Sequence, residues 1–329
     1  MNTSGSDRKS KEWVAAYGQV AGMLPELLSV LLGKPLAPDS QTDIEKSAGD
    51  LVKMASEVFP KLPTLEEIQN GVARNQALLN LVECTLRPYL KDIPNDKSVM
   101  DYMIGFLDPR RPLPNGSYLL ETSYQGYMDT ASSIAGEAVR KLPFGASNAY
   151  LNSYFSSGED ILASGQTLMT RFPEMHKSLC EKRPFTEEQT AKDIGYYDTL
   201  AGLYEKCVAL AVGILKLLQG EKVDYPGVRQ QTLFANWDYL RKSKYSLLAT
   251  LDRAMRNALA HKQVIFHVNQ GSVKFYDRKL SVEYSYEETR EKTKELAASV
   301  VCLYDLPGLI QLEQLIGIRD SVKGDISGL

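Results

Sequence analysis

Apolar residues recur at helical spacing along most of the chain, and the clearest stretch predicts a helix from Ile194 to Leu218. Leu200, Leu203, Tyr204, Cys207, Leu210, Ala211, Ile214, Leu217 and Leu218 fall three and four apart, as in a helix that buries one stripe. Gly220 is suited to end it. Thr186 can cap the start, with Glu187 and Glu188 favourable to the helix dipole. Pro184 breaks what precedes, so a boundary is expected around Arg183 to Glu188. Upstream, the pattern predicts helices over Trp13 to Leu32, Ile44 to Phe59, and Leu65 to about Leu90, the last opened by the capping box Thr64-x-x-Glu67. Met100 to Leu107 is short and apolar, and Asp108 to Ser117 is a loop rich in turn residues. Tyr118 to Lys141, Ala146 to Ser157 and Gly158 to Phe172 also have helical character. A second long helix is predicted from about Val228 through Ala260, with an interruption near Ser243-Lys244-Tyr245.

After His261 the period changes. Val264-Ile265-Phe266-His267-Val268 and Val273-Lys274-Phe275-Tyr276-Asp277 are β-type runs around Asn269-Gln270-Gly271-Ser272, a hairpin signal. Leu280 to Tyr284 can extend it. Ser285-x-x-Glu288 is a capping box that opens a last helix, expected to reach about Asp305. The chain therefore reads as mainly α, with an α-helical region over 1–185, a second domain over 186–306 and a C-terminal tail over 307–329.

Composition narrows the function classes only slightly. The chain has 329 residues, 43% hydrophobic and 24% charged, with a formal net charge of -3. That balance exerts no global attraction on nucleic acid or anionic membrane, so a nucleic-acid site has to be a local patch. Cys84, Cys180, Cys207 and Cys302 form no C-x-x-C pair, and are expected to be buried free thiols in a reducing compartment. Met1 to Lys11 is polar without a signal-peptide core, and the most apolar windows, such as Val208 to Leu218, are shorter than a membrane span. The expectation is a cytoplasmic protein. No phosphate-binding loop and no metal-ligand grouping is evident, so no cofactor or metal is expected.

The candidate chemistry gathers in Arg256-Asn257-Ala258-Leu259-Ala260-His261. The chain has only three histidines, His176, His261 and His267. On a helical wheel at about 100° per residue, Leu247, Leu248, Leu251, Met255, Ala258 and Leu259 form one apolar side, while Arg253, Arg256, Asn257 and His261 fall on the opposite half. Arg256 and His261 are roughly 140° apart, so one copy aligns them imperfectly. The surrounding stretch is basic, with Arg241, Lys242, Lys244, Arg253 and Lys262, as a phosphate-attracting stripe requires. Metal-free RNA cleavage needs the 2′-OH activated, the phosphorane charge stabilised and the 5′-oxygen protonated. Histidine exchanges protons near neutral pH, and arginine holds non-bridging oxygens in a fork. Asn257 is suited to hold the imidazole or a phosphate oxygen.

Arg256-Asn257-x-x-x-His261 resembles the signature of the HEPN superfamily, an Arg, a polar residue and a His after four to six positions. The order of helices around it, with a final helix after the motif, is similar too; the resemblance covers roughly residues 190–306. It implies a four-helix-type bundle, here with a small β-hairpin insertion, usually dimeric, with two motifs facing each other in a composite ribonuclease site. It further implies a metal-independent endoribonuclease in a toxin or antiviral-defence setting, with RNA as substrate and an antitoxin or defence protein as partner. Arg256 and His261 would then be catalytic, Asn257 supporting, and Arg253, Lys262, Lys244 and Arg241 RNA-binding. Members controlled through a tyrosine two places after the motif His differ from this chain, which has Gln263 there. The alternatives are a catalytically inactive module that binds RNA, nucleotide or protein, and a structural scaffold. His267 is expected to be a strand residue with a satisfied ring and His176 a surface residue. Tyr276, Tyr284 and Tyr286 are ordinary strand aromatics before they are base-stacking platforms. Arg110-Arg111 is expected in a solvated loop.

Overall fold

The computed structural model describes residues 121–157, 171–172, 174–277 and 280–326, together with Arg87, Ser98, Val99, Asp101, Ile104, Gly105 and Asp108. The chain divides into two units, one of Met1–Leu107 with Leu315–Leu329 and one of Asp108–Gln314. In the first, Arg319 pairs with Asp101 at 3.3 Å. The second contains the candidate site, and the expected boundary at Arg183 to Glu188 falls inside it. The helices expected from Trp13 to Leu90, apart from Arg87, and the Arg110-Arg111 loop lie outside the described residues.

The described elements are α1 (Glu121–Lys141), α2 (Phe144–Ser156), α3 (Glu187–Leu218), α4 (Tyr225–Arg229), α5 (Leu233–Lys242), α6 (Arg253–Ala260), β1 (Val264–His267), β2 (Ser272–Asp277), β3 (Leu280–Ser285) and α7 (Tyr286–Ile326). The protein is mainly helical with one small antiparallel sheet. At the start of α3, the Thr186 hydroxyl accepts the Gln189 N–H at 3.2 Å. The helix stops where Gly220 takes a positive φ of 85°. Its sequence reads as one apolar stripe, yet Cys207 through Leu215 are buried on every side. A helix surrounded by neighbours has no polar face to keep in that stretch. Tyr150 of α2 comes so close that a Cβ on Gly213 would lie 1.6 Å from its hydroxyl. That hydroxyl donates to the Ala209 carbonyl at 3.2 Å.

The sheet has the order β1-β2-β3, with Val264 opposite Phe275 and Phe275 opposite Val282. Alternation puts Val273 and Phe275 in the core and leaves Ile265 exposed on the other side. The expected hairpin and its third strand are present, and Gly271 supplies the left-handed residue (φ 62°) that turns β1 into β2. The Ser285–Glu288 capping box is made in both directions: Glu288 Oε2 accepts the Ser285 N–H at 2.8 Å and Ser285 Oγ accepts the Glu288 N–H at 3.1 Å. Just beyond it, Arg290 Nε donates to Asp193 Oδ2 at 2.9 Å, a buried pair that ties α7 to α3.

Three expectations need correction. The long helix expected from Val228 to Ala260 breaks near Ser243, as expected, but it is divided further, into α4, α5, a single 3₁₀ turn at Ser246–Leu248, and α6. Side chains of Thr232 and Asp252 each accept backbone N–H groups and restart the helix. Leu247, placed on the apolar side by a continuous wheel, is consequently 47% exposed. The last helix does not end at Asp305: it passes through Pro307 and continues to Ile326, so residues 307–326 are helical and not a tail. Its Tyr286–Gly317 stretch is long and apolar enough to cross a bilayer by length and composition, contrary to expectation, but 72% of its most apolar window is buried, as in a core helix.

Candidate functional site

The candidate site is built on α6, only eight residues long. An isolated helix of that length is unstable, so its ends must be fixed by neighbours. At the N-terminus Asp252 Oδ1 accepts the N–H groups of Ala254 at 2.9 Å and Met255 at 3.0 Å. Asp252 Oδ2 accepts the Tyr284 hydroxyl at 2.7 Å and faces Lys292 at 3.5 Å. The Asp252 backbone is held as well, its N–H donating to the Tyr197 hydroxyl at 2.8 Å. Burial, and then the hydrogen bond to Asp252, push the Tyr284 hydroxyl well above its usual pKa, so it stays a donor. Met255 and Ala258 face the core.

At the C-terminus the chain closes in a Schellman turn. Gln263 N–H donates to the Ala258 carbonyl at 2.8 Å and Lys262 N–H to the Leu259 carbonyl at 3.1 Å. The turn needs a left-handed residue, and Lys262 occupies that place with φ 56°, where glycine is usual. Among the described residues it is the one non-glycine with positive φ.

The functional side chains project from this fixed segment. His261 is the exposed C-cap, its N–H donating to the Asn257 carbonyl at 3.1 Å. Among the described residues no hydrogen bond or ion pair engages its imidazole. Arg256 is 33% exposed and faces Glu205 of α3 at 3.8 Å, a loose pair. Asn257 is half-buried, and its side chain is hydrogen-bonded neither to the imidazole nor to Arg256. Arg253 is exposed and stacks on Phe234, 4.9 Å from the ring centroid. Lys262 is exposed. Arg253, Arg256, Asn257, His261 and Lys262 therefore all come from α6 and the turn that closes it.

The other two expected RNA contacts have carboxylate partners elsewhere. Arg241 pairs with Asp238 at 2.8 Å and lies over Trp237. Lys244 pairs with Glu137 of α1 at 2.6 Å. His267 has a satisfied ring, Nδ1 lying 2.8 Å from Glu283, which also accepts the Ser272 hydroxyl at 2.6 Å. His176, expected at the surface, is half-buried and stacks on Phe172. Cys207 and Cys302 are buried free thiols. Burial pushes the Cys207 thiol up to about 12, so it is no nucleophile at neutral pH. No group of three or more His, Cys, Asp or Glu among the described residues is placed to hold a metal.

Sequence reasoning missed Asp252 and Glu205. Asp252 carries a readable signal, an Asp directly before the last helical segment, hidden because the expected interruption near Ser243 was not extended as far as Asp252. Glu205 has none, because its approach to Arg256 depends on how α6 packs on α3. No protein-family model, curated protein or solved structure matches this chain.

Proposed function

We propose that the protein is a metal-independent endoribonuclease whose second unit is a HEPN-like helical bundle acting as a homodimer. The observation that carries this reading is the exposed, unengaged His261 imidazole on a short, firmly capped helix that also presents Arg256, Arg253 and Lys262. In the reaction the RNA 2′-oxygen forms a bond to phosphorus as its proton passes to a base, and the P–O5′ bond breaks as the 5′-oxygen takes up a proton. Histidine serves for either transfer, and Arg256 neutralises the non-bridging oxygens as charge builds. One His261 per chain supplies one of the two roles, and a second copy across a two-fold axis supplies the other. Lys262 in a left-handed conformation supports the reading, because backbone strain of about a kcal/mol or more is retained where a side chain is needed in place. A toxin or defence role, with an inhibitory partner protein, belongs to the same proposal and rests on the family resemblance.

The chemistry predicts its own products. Cleavage fragments end in a 2′,3′-cyclic phosphate, and a substrate with 2′-deoxyribose at every position is untouched. Cleavage of the all-deoxy strand, or 3′-hydroxyl ends, would rule out attack by the 2′-oxygen. A second reading has two observations in its favour: Arg256 leans toward Glu205 and Asn257 does not hold His261, as in a module that binds RNA, nucleotide or protein without cleaving it. RNA retained intact, with binding lost on Arg256→Ala, would select that reading.

A further inference from the structure

A cleft of about 780 Å³ opens along one face of α1, lined by Asp129, Thr130, Ser133, Glu137, Arg140 and Lys141, with Lys244 and Tyr245 from the turn after α5 and Glu313 from α7. That volume suits a ligand of nucleotide size. Glu137 and Tyr245 are buried at one end. Glu137 accepts hydrogen bonds from Lys141, from Lys244 at 2.6 Å and from the Tyr245 hydroxyl. These bonds hold its carboxyl down to about 2, so it stays ionised. Two ammonium groups then share one carboxylate, and each has three N–H donors of which Glu137 takes one. Both side chains are largely exposed, at 62% and 68%. Arg140 is folded back along the same face: a Cβ on Gly136 would lie 3.1 Å from its Nη1. Hydroxyls of Thr130 and Ser133 line the same face, as does Ser132, whose Oγ has no hydrogen-bond partner. Asp129 lies eight residues before Glu137 on the same helix, about 12 Å at 1.5 Å per residue, and adds an acceptor away from the cations.

We infer that this cleft binds a small phosphorylated polyol, its phosphate held by Arg140, Lys141 and Lys244 and its hydroxyl groups donating to the carboxylates along the wall. The argument is one of spare donors beside a fixed negative floor. An anion takes the remaining ammonium N–H groups without displacing Glu137, and Arg140 adds a guanidinium fork suited to phosphate oxygens. Glu313 and Asp129 disfavour a polyanion lying along the cleft, so a single phosphate on a hydroxyl-rich body is the fit. The inference does not depend on RNA cleavage at α6.

The test is calorimetric titration of the full chain with inorganic phosphate, ribose 5-phosphate and adenosine 5′-monophosphate, each alone. Saturable binding is expected for all three, tighter for the two esters, which separates recognition of the phosphate from recognition of the body it is carried on. Arg140→Ala and Lys244→Ala each weaken binding about tenfold or more, the loss of one charge-assisted contact. Gly136→Ala, which crowds Arg140 without removing a charge, weakens it less. Thermal unfolding of each variant shows whether a loss is a loss of fold. No saturable binding at millimolar ligand, undiminished binding by well-folded Arg140→Ala and Lys244→Ala, or binding of RNA alone overturns the inference.

Discussion

Lys262 offers the sharpest coupling between stability and function. Its φ of 56° is forced by the Schellman turn that ends α6. The left-handed conformation costs an L-residue about 1–2 kcal/mol, and glycine about nothing. Glycine also loosens the unfolded chain, which returns about 0.4–1 kcal/mol of that gain. Lys262→Gly is therefore expected to stabilise the protein by a net ~0.5–1 kcal/mol. Lys262→Ala loses the same ammonium group but keeps the Cβ, and so gains none of it. Chemical denaturation of both variants beside wild type, with m-values compared, measures the difference. On the proposed reading RNA affinity falls alike in both, because each loses one charge assigned to phosphate, and the salt dependence of binding becomes shallower by about one unit of slope. If Lys262→Gly is no more stable than Lys262→Ala, the strain argument is wrong. If both bind RNA as wild type does over a range of salt, the charge has no role in recognition.

Further predictions follow from the same structure. Asp252→Ala removes the cap of α6, about 1 kcal/mol, and leaves the Tyr284 hydroxyl without its acceptor, about 1–3 kcal/mol more, so a loss of roughly 2–4 kcal/mol is expected in denaturant unfolding; a loss within experimental error would mean that the cap does not anchor the helix. Gly213→Ala drives a methyl group into Tyr150 and is expected to cost 1–3 kcal/mol or more, roughly the usual penalty for overpacking, read as a lowered Tm. Gly213→Ala combined with Tyr150→Phe should relieve part of that loss by removing the hydroxyl. Burial pushes the Asp305 carboxyl up to about 7. Folding then takes up a proton between pH ~4 and ~7, so this group's contribution is greatest below its unfolded pKa, declines as pH rises through that window and levels off above it. Asp305→Asn should flatten the fall in stability between those values, and an unchanged pH profile would show that Asp305 titrates normally.

Much of the secondary structure was legible because the signals were local. Capping at Thr186, the reciprocal Ser285–Glu288 box, the glycine turn at Gly271 and the three β-runs all depend on residues within a few positions of each other. The errors came where tertiary packing overrode the pattern. The break between α5 and α6 is sustained from outside the segment. The Leu248 carbonyl accepts hydrogen bonds from Tyr204 at 2.9 Å and Ser299 at 2.7 Å, and the Trp237 indole donates to the Ala249 carbonyl at 3.1 Å. Side chains that satisfy backbone carbonyls make a non-helical stretch tolerable in the interior. The passage of α7 through Pro307 has the same origin: Leu303, Leu306, Leu309 and Ile310 are all fully buried around it, and their packing outweighs the one helical bond proline removes. At the candidate site the residue types were legible, and so was their grouping on one short helical segment. The reach of Glu205 toward Arg256, the partnership of Lys244 with Glu137 and the cleft around them were not, because each joins residues more than fifty positions apart.

The central claim is that Arg256 and His261 cleave RNA without a metal. Its most direct test is to incubate the purified full chain with mixed RNA in excess EDTA, beside Arg256→Ala and His261→Ala. Both substitutions are on the surface of a helix whose core face they leave intact, so the variants should fold. Cleavage by the wild-type chain that survives the chelator and disappears in both variants is the predicted result. RNA left intact by the wild-type chain, or cut equally well by His261→Ala, would contradict the account.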